Sequence, residues 1–359
     1  MKRFAELGSE DGSGLGCEDP GDDAGDDPMA VTIHHVARVA EVSVSTVSRA
    51  FTVPDMVHPQ TRRKVLQAAE ELGYQPNRAA RGLVTGRTGN IGVVVPDVAN
   101  PFFSAVLKGC AARARGAQHV VFLADAAEDP RVEAEMVGAM AKQVDGIVLC
   151  SPRENSAELH RLVGTSPLVL VNRVEGGLPA VLMDSADGVR QAVEHLAALG
   201  HRRIAYLSGP AASWAGEERL GGLRAAAPAC DVEAVELGPF PPTFQGGIQA
   251  TDLALARGVT AVLAFNDLMA IGVLNRLAAR GVSVPGQMSV IGFDDIEMAS
   301  MTTEPLTTVQ MPMEAAGRAA VDMLLDDPQP TTELQRWLPT QLIVRSTTAP
   351  LPAAPAATR

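Results

Sequence analysis

The chain is 359 residues long, 46% apolar and only 4% aromatic, with 25 prolines, 33 glycines and a net charge of −12. At roughly 100–200 residues per domain this length holds two or three units with full cores. Its apolar runs are far shorter than a membrane helix, residues 1–28 lack the basic and apolar regions of a secretory signal, and the 4 cysteines (Cys17, Cys110, Cys150, Cys230) have neither paired nor metal-ligand spacing. A reduced, cytoplasmic protein with no metal and no cofactor is expected.

Charge is unevenly placed. Residues 1–28 carry 2 basic and 9 acidic groups and almost nothing to bury, so they are expected to be a disordered acidic leader. The patterned sequence begins at Met29, which is expected to be the natural start; a genuine acidic tail is the alternative. Residues 29–90 hold 8 basic and 4 acidic groups, whereas residues 91–359 are net −9. A small basic module on an acidic body is the asymmetry expected where one part meets phosphates.

Residues 29–76 read as three short helices. Thr32 is placed to cap the first, over 33–39, and Ser43 to cap the second, which opens Val44-Ser-Thr-Val-Ser-Arg-Ala-Phe51. The short connection between them gives helix-turn-helix spacing. Pro59 starts a third helix with an apolar repeat at Val65, Leu66, Ala69 and Leu72, stopped by Gly73. Residues 77–88 follow as a basic hinge or linker.

From residue 89 the period changes. Apolar runs of strand length recur at 91–95, 120–124, 146–149, 168–171, 181–183, 204–207, 261–265 and 290–293, separated by amphipathic segments such as 186–199 and 268–279. Runs charged only at their edges indicate parallel sheets covered on both faces. Because so many strands exceed one sheet, residues 89–346 are expected to form a doubly wound α/β domain of two lobes, with ligand groups at strand carboxyl ends facing the cleft. The Pro/Ala-rich residues 347–359 lack leucine heptads and are expected to be a flexible tail.

Several ordered motifs resemble the LacI (lactose repressor) family of bacterial transcription regulators. In the head they are Val31-Thr-Ile-His-His-Val-Ala37, Val42-Ser-Val-Ser-Thr-Val-Ser-Arg49, Thr61-Arg-Arg-Lys-Val-Leu66, Leu72-Gly-Tyr-Gln-Pro-Asn77 and Ala79-Ala-Arg-Gly-Leu83. In the body they are Ile91-Gly-Val-Val-Val-Pro-Asp97, Asn100-Pro-Phe-Phe103, Val144-Asp-Gly-Ile147, Leu199-Gly-His-Arg-Arg-Ile204, Phe265-Asn-Asp-Leu-Met-Ala270 and Val290-Ile-Gly-Phe-Asp-Asp295. The resemblance implies an all-α helix-turn-helix head and a two-lobed, periplasmic-binding-protein-like effector domain. It also implies a near-palindromic double-stranded DNA operator, a small-molecule effector, and a homodimer joined through exposed apolar residues around the first strand and helix of the body.

In the second helix, Val44, Ser45, Ser48 and Arg49 project from the turns that enter a major groove. Arg49 suits a bidentate bond to a guanine edge, Ser45 and Ser48 suit base or phosphate, and Val44 suits a thymine methyl. Thr46 and Thr32 suit phosphates, and Val47 and Ala50 the core. By resemblance, Asn77, Arg78, Ala80 and Leu83 belong to a hinge helix that folds on DNA, with Leu83 as a minor-groove wedge. A flexible basic linker with a packed leucine is the alternative. Two residues depart from the family pattern: Glu41 stands in the turn where glycine is usual, and His35 where aspartate is common.

By match to family positions, Asn100, Phe102 and Phe103 follow the first strand, Ser151 and Arg153 the third, and Asn172-Arg173 the fourth; the other lobe supplies Arg219, Asn266, Asp267 and Asp294. These are the expected effector contacts, led by Arg219 and Asp294, because a guanidinium fork and a carboxylate together hold vicinal hydroxyls. Trp214 and Phe240 are candidates for stacking on a ring. Met311 stands where many sugar-binding relatives carry glutamine, which removes a hydroxyl partner. A sugar or polyol is the first expectation, a nucleobase the second, and a protein co-regulator stays open. The basic head argues against a solute-binding protein. No Gly-x-Gly-x-x-Gly turn, P-loop or nucleophile elbow points to an enzyme.

Overall fold

The computed structural model describes residues 31–75, 87–153, 161, 166–326 and 334–351. The chain divides into two compact units, Met1–Asn77 and Arg78–Arg359. In the first, α1 (Ile33–Val39), α2 (Val44–Thr52) and α3 (Pro59–Glu71) pack around Val36, Ala37, Val47, Ala50, Val65 and Ala69. Helices begin where the sequence supplies a cap. Ser43 Oγ accepts from the Thr46 N–H at 3.2 Å, and His35 Nδ1 accepts from the Thr32 N–H at 3.2 Å. The imidazole thus satisfies an amide that a capping carboxylate would otherwise serve. Leu66, part of the expected inward repeat, is instead 39% exposed. The helical period puts Val65, Ala68 and Ala69 on the buried stripe and turns the next position out.

In the second unit the first lobe contains β1 (Asn90–Val95), α4 (Pro101–Gly116), β2 (Val120–Asp125), α5 (Pro130–Met140), β3 (Gly146–Cys150), β4 (Leu168–Val171) and β5 (Ala180–Met183). The second contains α6 (Ser185–Ala198), β6 (Arg203–Leu207), α7 (Trp214–Ala229), β7 (Glu233–Leu237), α8 (Phe244–Ala256), β8 (Ala261–Ala264), α9 (Asp267–Ala279), β9 (Ser289–Asp294) and β10 (Thr307–Gln310). Then α10 (Met313–Leu325) and β11 (Gln335–Leu338) return to the first lobe and β12 (Gln341–Ile343) goes back to the second. The chain therefore crosses between lobes three times.

The sheets run β11-β5-β4-β3-β1-β2 and β12-β10-β9-β8-β6-β7, parallel except for the antiparallel pair of β10 and β12. Their central strands are buried on both faces, as all-apolar runs require. One core cluster spans both lobes, from Ile91, Val148 and Val181 to Ile204, Ile291 and Val309. At the α4–α10 crossing, a Cβ on Gly109 or Gly317 would meet a carbonyl oxygen at 2.1 Å. Only hydrogen fits there, so the two backbones touch and the returning helix is seated firmly.

Four strands have no counterpart among the expected apolar runs. β7 is an edge strand whose outward glutamates pair with Arg203 (3.3 Å) and Arg224 (2.7 Å), which hides its alternation in charge. β10, β11 and β12 are short and polar. Residues 347–351, expected to be loose, are built into the second lobe. Thr347 is fully buried: its Oγ1 donates to Val290 O at 2.6 Å and accepts from the Thr307 N–H at 2.8 Å. Buried His201 hydrogen-bonds Thr260 Oγ1 and Ser289 Oγ at 2.9 Å and Ala349 O at 3.2 Å. Burial lowers its pKa, keeping the ring neutral in this network. A composition rich in proline and alanine carried no sign of these hydroxyl contacts.

Candidate functional site

In the head, Ser43 Oγ lies 2.8 Å from both Ser45 Oγ and Thr46 Oγ1, so the cap orders the first turn of α2. Val47 and Ala50 are buried, which leaves Ser45 and Arg49, four residues apart on one face, exposed together with Ser48 half-buried beside them. Val44 packs partly against the core. Thr32 caps α1 and is exposed. Arg38, Arg49, Arg62, Arg63 and Lys64 all face solvent, and among the described residues none forms an ion pair. Asn77, Arg78, Ala80 and Leu83 lie outside the described residues. Just beyond them, Asp145 accepts from Thr88 Oγ1 at 2.9 Å and the Gly89 N–H at 2.8 Å, which ties the start of the body to the strand that Asp145 precedes.

In the second unit a cavity lies between the lobes. Asn100, Phe102, Phe103, Glu128, Ser151, Arg153 and Asn172 line it from the first lobe, and Ser213, Ala215, Arg219, Pro242, Phe265, Asn266 and Asp294 from the second. Strand carboxyl ends and helix N-termini converge here. Asn100, Ser213 and Asn266 cap α4, α7 and α9, accepting from the N–H groups of Phe102 (3.0 Å), Gly216 (3.2 Å) and Met269 (2.9 Å). The cavity volume is about 30 Å³, far below the roughly 300 Å³ at which ligand sites begin. Admitting a metabolite requires the walls to move apart.

Each lobe contributes one arginine with one carboxylate. In the first, Arg153 Nε and Nη2 donate to Glu128 at 2.8 and 3.1 Å, and Nη1 donates to Ser151 O at 2.8 Å. In the second, Arg219 and Asp294 are both buried, 3.5 Å apart. The Arg219 guanidinium lies 3.9 Å over the Phe293 ring and 4.7 Å over Phe265, and donates to Phe265 O. Among the described residues, buried Arg219 Nε and Asn172 Oδ1 have no hydrogen-bond partner. Burial raises the Asp294 carboxyl to about 7, against the opposing pull of Arg219.

Of the thirteen residues expected at the effector, nine line this cavity and four do not. Asp267 is fully buried beneath it: Oδ1 accepts from Thr308 Oγ1 at 2.6 Å and Oδ2 from the Ile296 N–H at 2.9 Å. Burial first, and the Asp294 charge second, push its carboxyl well above the usual range. Gly292 makes room for it, since a Cβ there would sit 2.1 Å from Oδ1. Arg173 turns away to Pro152 O (3.0 Å) and Glu175 (3.1 Å). Phe240 packs on the second lobe's core. Trp214, at the start of α7, packs against the first-lobe core of Leu149, Leu170 and Leu182, so it bridges the lobes. Met311 is buried in the shared core. Glu128, Ser213 and Phe265 went unnoticed in the sequence, although each follows a strand or opens a helix. Among the described residues no group of His, Cys, Asp and Glu is arranged to hold a metal, and no helix is long and apolar enough to cross a membrane.

Residues 32–77 match the model for bacterial regulatory proteins, lacI family, and residues 193–348 that for a periplasmic binding protein-like domain. The chain is 34% identical over 335 residues to the HTH-type transcriptional repressor CytR of Escherichia coli K12, covering 90% of this chain and 98% of that one. It is 37% identical over 344 residues to the HTH-type transcriptional regulator CelR of Thermobifida fusca, covering 88% and 97%. Among solved structures it is similar to the lac repressor dimer bound to operator and the anti-inducer ONPF, with a TM-score of 0.80 at 30% identity over 89% of this chain and 99% of that one. It is also similar to a transcriptional regulator CelR–cellobiose complex, with a TM-score of 0.65 at 32% identity over 88% and 99%.

Proposed function

Because the chain belongs to the LacI family of bacterial regulatory proteins, it is a DNA-binding transcriptional regulator, and we propose that it represses transcription until a neutral polyhydroxylated metabolite enters the interlobe cavity. The observation that carries this reading is the charge balance of the cavity: each lobe brings an arginine already matched by a carboxylate. A charged metabolite would leave one of these partners unmatched, at high cost in a buried site. Hydroxyls, which donate and accept, engage both members of a pair, and Phe102, Phe103 and Phe265 offer apolar walls to a ring. A sugar or other polyol fits this description.

In this proposal α2 lies in the major groove, with Arg49 and Ser45 on base edges and Val44, Thr46, Ser48 and Thr32 on methyl or phosphate. Two copies on one duplex make the operator nearly palindromic. Exposed Val120, Phe122 and Leu123 make the edge strand β2 an apolar rim that a second copy would cover. The effector acts by preferring one arrangement of the lobes, and closure around it weakens operator binding. A thermal-shift panel of neutral sugars and polyols against sugar phosphates and amino acids tests the ligand class. Stabilisation by a neutral member, followed by its release of the chain from an operator selected out of random duplexes, is expected. Stabilisation by charged members alone would overturn the reading.

A further inference from the structure

β9 ends on an unusual piece of backbone. Asp294 and Asp295 both have positive φ, 113° and 62°. Two consecutive side-chain-bearing residues in this region are held only when their surroundings over-determine them. The surroundings here are specific. On one side, Asp267 accepts from the N–H of Ile296, the next residue. On the other, Arg345 Nη2 donates to Asp295 Oδ1 at 2.6 Å and Gln310 Nε2 donates to Asp295 Oδ2 at 2.8 Å. Arg345 is itself fixed, its Nη1 donating to Leu306 O at 2.8 Å and its backbone N–H to Thr307 Oγ1 at 3.0 Å. This Arg345–Asp295 pair is largely buried, with side-chain exposures of 21% and 12%.

We infer that Arg345, which is not among the residues lining the cavity, is a positioning residue for the effector-site carboxylate: by clamping Asp295 it holds the crank that aims Asp294 at Arg219. The inference rests on the reading of Asp294 as an effector contact, but its geometry stands in the absence of any ligand. It also gives the segment after β12 a task. That segment begins from a strand of the second lobe and supports the cavity from behind, through a bidentate-capable fork that lysine does not reproduce.

The test reads Asp294 directly and without effector. Melting temperatures of the full chain are measured from about pH 5 to pH 8.5 for the natural chain, Asp294→Asn, Arg345→Ala and the double variant. Subtracting each Asn-bearing profile isolates the Asp294 step and removes the titration of His195 and His201, which lie near the same C-terminal segment. Arg219 on α7, Asp267 on α9, Tyr206 on β6 and Asp295 are the other groups near this carboxyl. The expected result is a step near pH 7 that moves by about half a pH unit or more in Arg345→Ala. A melting temperature lowered equally at every pH, with the step unmoved, would reduce Arg345 to ordinary scaffold and overturn the inference. If Arg345→Ala does not fold, Arg345→Lys and the exposed Gln310→Ala carry the same test: a step displaced in either supports the clamp, and a step fixed in both refutes it. A chain that binds no polyol while Arg345→Ala still moves the step would defeat the effector reading alone.

Discussion

The head and the body handle charge in opposite ways. Among the described residues of the head five cations face water without an ion pair, while the cavity of the body keeps its arginines matched by carboxylates and, in the second lobe, buried. Under the proposed function the difference follows from the two kinds of ligand. A duplex is a dense polyanion that brings its own counter-charge, so cations that meet it gain most when left free, and binding is driven by counterion release. A small neutral molecule brings no charge, so a buried site that binds it must be balanced beforehand. Operator affinity should therefore respond to salt, and effector affinity to pH.

The sharpest test of this contrast, and the largest expected effect, is Asp294→Asn. Truncating one side of a buried charge pair costs about 2–5 kcal/mol, so effector-induced release from the operator should be lost while operator binding without effector persists. A titration of operator-bound protein with the stabilising polyol, followed by fluorescence anisotropy, measures both; an unchanged midpoint would remove Asp294 from the site. The pH dependence follows from the same group. Its folded pKa of about 7 lies above the ordinary 3.8, so its contribution to stability is complete below about 3.8 and is lost as pH rises through about 7. Effector hydroxyls favour the ionised form, so affinity runs the other way, climbing by up to about tenfold per pH unit below 7 and then levelling. Isothermal titration across that window checks it, with Asp294→Asn expected to be flat.

On the head the expected effect is somewhat smaller. Arg49→Ala should cost about 1–3 kcal/mol on the preferred operator, the value of one bidentate base contact, with little change on unrelated duplexes. Replacing Arg62 or Arg63 should instead weaken all duplexes alike and lower the salt slope by about one. Anisotropy titrations at several salt concentrations separate the two. If Arg49→Ala behaved like Arg62→Ala, Arg49 would be a phosphate contact and specificity would reside elsewhere on α2.

How much was legible in the sequence depended on whether a feature repeats. The central parallel strands were plain because burial on both faces demands continuous Val, Ile and Leu, and the helices of the head because Ser43 and Pro59 mark their starts. β7 and the short strands β10 to β12 were not, since an edge or a return strand is fixed by its partners rather than by its own composition. The cavity split the same way. Arg219 and Asp294 were expected from their match to family positions, Asp294 closing the apolar run of β9 and Arg219 lying within the first turns of α7. Asp267, equally polar and adjacent to a wall residue, serves Ile296 and Thr308 instead, and only its surroundings reveal that. Trp214 likewise looked like a ring for a ligand to stack on, yet packs on the opposite lobe.

The smallest effect concerns the turn between α1 and α2. Glu41 has a φ of 57°, a left-handed conformation that costs a side chain about 1–2 kcal/mol and glycine almost nothing. The unpaired cations nearby gain little from it, because among the described residues Glu41 forms no ion pair. Glu41→Gly should therefore stabilise the head, by less than the full strain because glycine also gains freedom in the unfolded chain, for a net of about 1 kcal/mol or below. It also removes one negative charge from the DNA-facing module, so operator affinity should rise modestly and more so at low salt. A higher melting temperature with unchanged affinity would mean that the turn shapes the fold but stands away from the duplex. A lower melting temperature would mean that Glu41 holds the turn through a contact worth more than its strain.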